Sequence, residues 1–167
     1  MTPSTRLALA LSATLLMPLA STAREPIPPP EIQVGRVIDD FHLAAAQADE
    51  ARYFGHLADR AVFLGTDGSE RWEKEAFRAF AHPYFSQGKG WTFTPRDRHV
   101  ALSAKGDVAW FDEALDSASY GACRGSGVLE KTRAGWKIAQ YNLSIPIPND
   151  LAKDFVARIR AAPPAQP

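Results

Sequence analysis

The sequence predicts an α+β domain in which helices come first and an antiparallel sheet follows. Three observations lead there. Apolar positions recur at helical spacing in residues 31–48 and again in 69–82. Residues 107–146 instead alternate with period two and are divided by glycine-containing turns. A proline-rich stretch, 24–30, sets all of this apart from the N-terminal leader.

The leader reads as an export signal. Arg6 precedes an apolar run, Leu7 to Ala20, which Pro18 interrupts and Ser21-Thr22-Ala23 closes. A basic start, a short hydrophobic centre and small residues at the end make a secretory signal peptide, with cleavage expected after Ala23. The run falls short of the ~20 apolar residues of a membrane span. The expected organisation is therefore signal peptide 1–23, linker 24–30, one domain 31–161, and a disordered tail 162–167. The protein is expected to be periplasmic or secreted.

Composition narrows the partners. The 167 residues carry a formal net charge of zero and no basic run, which argues against nucleic-acid or anionic-membrane binding. One cysteine, Cys123, excludes an intrachain disulfide, so stability must come from packing. His42, His56, His82 and His99 show no metal-ligand spacing. No metal and no cofactor is expected.

Taken in order, a first helix begins near Glu31 and carries Val34, Val37, Ile38, Phe41, Ala45 and Ala48 on one face. Asp49-Glu50 breaks it before a short second helix with Tyr53, Phe54 and Leu57. Residues 61–67 read as a strand closed by Asp67-Gly68. A third helix follows, with Ser69 as cap and Pro83 ending or kinking it near Ala81 or His82. The strand 91–103 contains Pro95, which suggests an edge position or a bulge. Strands 107–116, 120–131 and 135–146 complete a meander, and Asn149 or Asp150 caps a final amphipathic helix.

Alternation divides the meander into two faces, provided that no bulge shifts the register. The helix-covered side collects Phe111, Glu113, Gly125, Gly127, Tyr141 and Leu143. Glu113 is its one acid. An unpaired carboxylate there would be a general acid or base with a raised pKa, whereas pairing with an arginine would make it a stabiliser of the fold. His42 on the first helix either faces the pocket or is a satisfied core residue. The other side carries Trp110, Arg124, Trp136, Gln140 and Asn142, a mixture typical of a self-complementary dimer face.

The element order, together with Phe41-His42, FLGTDGSERW, AWFDEAL, GSGVL and WKIAQYNLS, resembles the SnoaL-like branch of the nuclear-transport-factor-like superfamily over residues 31–147. The resemblance implies a cone-shaped fold, a strongly curved sheet wrapped around helices and enclosing a pocket, commonly dimeric through the outer sheet face. It also implies a range of activities, from ketosteroid isomerases, polyketide cyclases, dehydratases and epoxide hydrolases to non-enzymatic association domains. The catalytic aspartate of the isomerase- and cyclase-type members is replaced here by Asn142, and an arginine pair of the kinase-association branch by Gly127 and Leu143. The expectation is a small apolar or amphipathic ligand held by Tyr53, Phe111, Tyr141, Trp72, Asp67 and His42. Any chemistry would be cofactor-free isomerisation, cyclisation or hydration through Glu113. The competing expectation is a non-catalytic dimeric assembly module.

Overall fold

The computed structural model describes residues 26–163, so the expected leader and the end of the tail lie outside the described residues. Helix α1 spans Pro30–Ala46, with Pro30 in its first turn, where a missing N–H costs nothing. Val34, Ile38, Phe41, His42, Ala44 and Ala45 are its buried residues. Helix α2, Glu50–Gly55, is capped by Asp49, whose carboxylate accepts from the Arg52 N–H at 3.1 Å.

Six strands form one curved, unclosed sheet in the order β2-β1-β6-β5-β4-β3. They are β1 (Leu57–Leu64), β2 (Arg71–Glu73), β3 (Thr94–Leu102), β4 (Val108–Ser117), β5 (Gly121–Thr132) and β6 (Gly135–Ser144). The architecture is α+β, with helices α1, α2 and α3 (Lys74–Phe85) against one face of the sheet. Glycines at positive φ make the expected turns, Gly106 at 68° and Gly135 at 104°.

Several local expectations change. Arg71-Trp72-Glu73 pairs with β1 as a short antiparallel strand, so α3 starts at Lys74 and Ser69 belongs to the loop. Pro83 lies inside α3, which continues one turn to the buried Phe85. The β1–β6 junction is parallel while every other pairing is antiparallel. β3 is an edge strand, which accommodates Pro95, and it bulges beyond that residue between Arg96 and His99. Helix α4, Ala152–Ala161, has no side-chain cap from Asn149 or Asp150.

The largest correction concerns β6. Val128 pairs with Gln140 and Leu129 with Ile138, leaving Ala139 as an extra residue. This bulge reverses parity between the two halves of the strand. Trp136 and Ile138 therefore face the helices, and Trp136 is only 4% exposed, not part of the outer face. Gln140 and Asn142 stay on the outer side.

Candidate functional site

Between the helices and the inner sheet face lies a cavity of about 330 Å³. Ten of its sixteen lining residues are Phe, Tyr or Trp, so its wall is mainly aromatic. Burial defines its two ends. Phe41, His42, Tyr53 and Tyr141 are all at most 7% exposed and form the deep end. Phe80, Tyr84 and Tyr120 are between 42% and 53% exposed and form the rim.

At the deep end, α1 presents His42 to the cavity while the opposite side of its ring meets β4. His42 Nε2 donates to Glu113 Oε1 at 2.7 Å. Arg98 Nε donates to the other carboxylate oxygen, Oε2, also at 2.7 Å. The guanidinium is held in turn through Nη1, which donates to the Gly35 carbonyl at 3.0 Å and to Asp39 at 2.7 Å. Arg98 Nη2 is buried without a partner among the described residues.

Glu113 is 1% exposed. Burial alone would favour its neutral form, but the hydrogen bond and charge of His42, with those of Arg98, outweigh that and hold its carboxyl below the ordinary range. It is thus an ionised, doubly paired carboxylate, not an unpaired acid with a raised pKa, and the arginine pairing weighed from the sequence is the one formed. A carboxylate can only accept, so His42 Nε2 carries a hydrogen and, in the neutral ring, Nδ1 keeps the lone pair. Nδ1 makes no hydrogen bond among the described residues. Glu113 thus fixes the tautomer of a neutral His42 ring, in which Nδ1 is the atom left to accept a proton.

Gly125 makes room for this group. A Cβ there would lie 2.7 Å from the Tyr141 hydroxyl and 2.9 Å from Glu113 Oε1. The hydroxyl and the carboxylate converge on the space that a side chain would fill. Burial, and after it the charge of Glu113, pushes the Tyr141 hydroxyl well above its ordinary pKa, so it stays a neutral donor. Tyr53 is likewise pushed up, by burial against the pull of a hydrogen bond with Trp91.

His42, Glu113, Tyr53 and Tyr141 are thus brought together. Phe111 is buried behind Tyr141, their ring centroids 6.0 Å apart, and does not line the cavity. Trp72 stacks on Phe80 at 5.1 Å and supports the wall from outside it. Asp67 is exposed and turned to its own loop, accepting from the Ser69 N–H at 2.8 Å and hydroxyl at 2.5 Å. Glu70 lines the cavity instead. Of the residues expected on the outer face, Trp110 and Arg124 are exposed and Gln140 and Asn142 half-buried there. Among the described residues no group of three or more His, Cys, Asp or Glu is arranged to hold a metal.

Sequence reasoning missed Arg98 and Glu70. Arg98 shares the parity of Val100 and Leu102, which pair with the buried Phe111 and Ala109, so it faces inward. The bulge between Arg96 and His99, with Asp97 in the left-handed region at φ 47°, sets Arg96 on the other face opposite Ala114. Residues with alternating charge, Arg96-Asp97-Arg98, next to an edge-marking proline were the available signal.

The SnoaL-like domain model matches residues 34–148. No curated protein matches the chain in sequence. Among solved structures, an NTF2-like protein of unknown function from Pseudomonas putida KT2440 superposes with a TM-score of 0.60 at 16% identity, over 72% of this chain and 89% of that one. A protein provisionally named a dehydratase of the NTF2-like family, from Streptomyces avermitilis, gives 0.58 at 17% identity, over 71% and 97%. One provisionally named a ketosteroid isomerase, from Shewanella frigidimarina NCIMB 400, gives 0.52 at 22% identity, over 67% and 94%. These likenesses establish the fold.

Proposed function

Because the chain belongs to the SnoaL-like domain family, we propose that it is an exported enzyme performing cofactor-free proton transfer, an isomerisation or dehydration, on a small and largely apolar ligand. One observation carries this reading: His42 lines the deep end of an aromatic cavity while its Nε2 is held 2.7 Å from a buried, ionised Glu113. Asn142 stands on the outer face of β6 and does not line the cavity. The base is His42 Nδ1, and Tyr141 donates to the oxygen on which negative charge develops. Glu113 and Arg98 are positioning residues.

Proton exchange tests the reading directly. Carbon acids such as β,γ-unsaturated cyclic ketones, incubated with the protein in deuterated water and followed by NMR, take up deuterium in a protein-dependent manner. His42→Gln lowers that rate by roughly 10²- to 10⁴-fold. Exchange that is indifferent to His42→Gln defeats the proposal. Export is tested by sequencing the N-terminus of the protein recovered outside the cytoplasm, which should begin at Arg24.

A second reading, a homodimeric assembly module, is favoured by the outer face of β4, where Trp110 is 50% exposed beside Val108. Arg124 on β5 is opposite Ala114 on the same face. Sedimentation at micromolar protein separates the two readings. A dimer that Trp110→Ala dissociates supports assembly, and a monomer removes it.

A further inference from the structure

The rim of the cavity carries a chemistry that the deep end does not explain. Its lining includes no lysine and no arginine. It does include Glu70, at the foot of the loop joining β1 to β2. This carboxyl group has no Lys, Arg or His nitrogen within ion-pair distance among the described residues. Its one hydrogen bond is from the Asp67 N–H to Oε2 at 3.1 Å, which leaves Oε1 unpartnered.

The chain is shaped to hold Glu70 there. A Cβ on Gly65 would lie 2.1 Å from Glu70 Oε2, so only glycine lets the carboxyl group lie against the end of β1. The loop is closed by the Gly65 N–H, which donates to the Glu70 carbonyl at 2.9 Å. The same cavity is lined by Phe80 and Tyr84, 42% and 48% exposed, and by Tyr120 at 53%. Aromatic rings and an acid without a counter-ion in one cavity wall give it negative potential from both components.

Resting on the cavity reading above, we infer that the rim binds the ammonium group of a ring-bearing amine, with Glu70 as counter-charge and the rim aromatics as its walls. The ring of the ligand enters the aromatic interior, and a carbon next to it reaches His42. An anion such as a carboxylate or phosphate meets Glu70 at the entrance and no lysine or arginine within the wall, so it is disfavoured. A neutral ligand makes the aromatic contacts alone.

Three probes of one skeleton test this by titration calorimetry on the purified protein: 2-phenylethylammonium, 2-phenylethanol and phenylacetate. The ammonium ion binds about tenfold more tightly than the alcohol, and phenylacetate most weakly. Glu70→Gln, on an exposed loop, reduces ammonium binding to the level of the alcohol and leaves the alcohol unchanged. Raising salt to about 0.5 M narrows the gap in the wild type only. Equal binding of ammonium and alcohol, a preference that survives Glu70→Gln, or no binding of any probe by the folded protein overturns the inference. The proton-transfer reading is judged separately. His42→Gln removes exchange but retains the ammonium preference, so exchange without preference sinks this inference alone, and preference without exchange sinks only the enzymatic reading.

Discussion

Arg98 donates to Glu113 from an edge strand that bulges beside it at Asp97, 2.7 Å from nitrogen to oxygen. The pair ties β3 to β4, and the same guanidinium reaches Gly35 and Asp39 on α1. One side chain therefore joins the sheet edge, the first helix and the buried acid of the site. Arg98→Met leaves an ionised carboxylate in the interior with only His42 beside it. Removing one partner of a buried pair costs about 3 kcal/mol, to be read from urea unfolding. A loss below about 1 kcal/mol would mean that water replaces the guanidinium.

Acid should destabilise the protein through two identified carboxylates. Glu113 has a folded pKa below its reference of 4.5, so its stabilisation is fully present above that value and is lost as pH falls through the lower folded value. Asp40 behaves alike. Its hydrogen bond with Arg52 is the largest influence, burial opposes it, and His56 helps to lower its pKa from 3.8 to about 2. That shift is worth about 2 kcal/mol without screening, and for a side chain 38% exposed it is cut to roughly 1 kcal/mol. Asp40→Asn should therefore lose about 1 kcal/mol at neutral pH and flatten the stability curve between pH 3.8 and about 2. Parallel curves for variant and wild type over that window would refute the assignment.

Glu113→Gln separates charge from shape. Glutamine can accept from His42 Nε2 through its amide oxygen but supplies no charge to an imidazolium. Exchange activity should fall by roughly 10- to 100-fold, a loss typical of disrupting the partner behind a functional histidine. Exchange that is unchanged in Glu113→Gln would leave Glu113 a purely structural role.

How far the sequence reaches depends on the range of the interaction that decides each feature. Helix α1, the turns at Gly106 and Gly135, and the inward parity of Glu113 and Tyr141 follow from local periodicity, and all were legible. Trp136 was misassigned because Ala139 is an extra residue in β6, and nothing in WKIAQYNLS distinguishes a bulged strand from a regular one. The parallel β1–β6 junction depends on where the chain returns after the helices, which strand patterns do not encode. Asp67 and Glu70 are both carboxylates of one loop, and only its closure decides that the second lines the cavity. Arg98 has inner parity with Val100 and Leu102, but its partners come from β4 and α1, which β3's own pattern does not encode.

The two glycines of β5 should respond differently to the same substitution. At Gly125 an added Cβ meets the Tyr141 hydroxyl at 2.7 Å and Glu113 Oε1 at 2.9 Å, both ends of side chains that can shift. At Gly127 it meets the Gln140 carbonyl at 2.3 Å, which is backbone and cannot yield without disturbing the β5–β6 ladder beside the Ala139 bulge. Gly127→Ala should therefore lose stability by about 1 to 3 kcal/mol, the range for overpacking. Gly125→Ala should cost less stability and more function. Displacing Glu113 from His42 by even a few tenths of an ångström weakens the contact that orients the ring, and Tyr141 must leave the same space. Melting temperatures compared with deuterium exchange rates decide it. A Gly125→Ala protein with intact exchange would place the chemistry away from this convergence of His42, Glu113 and Tyr141.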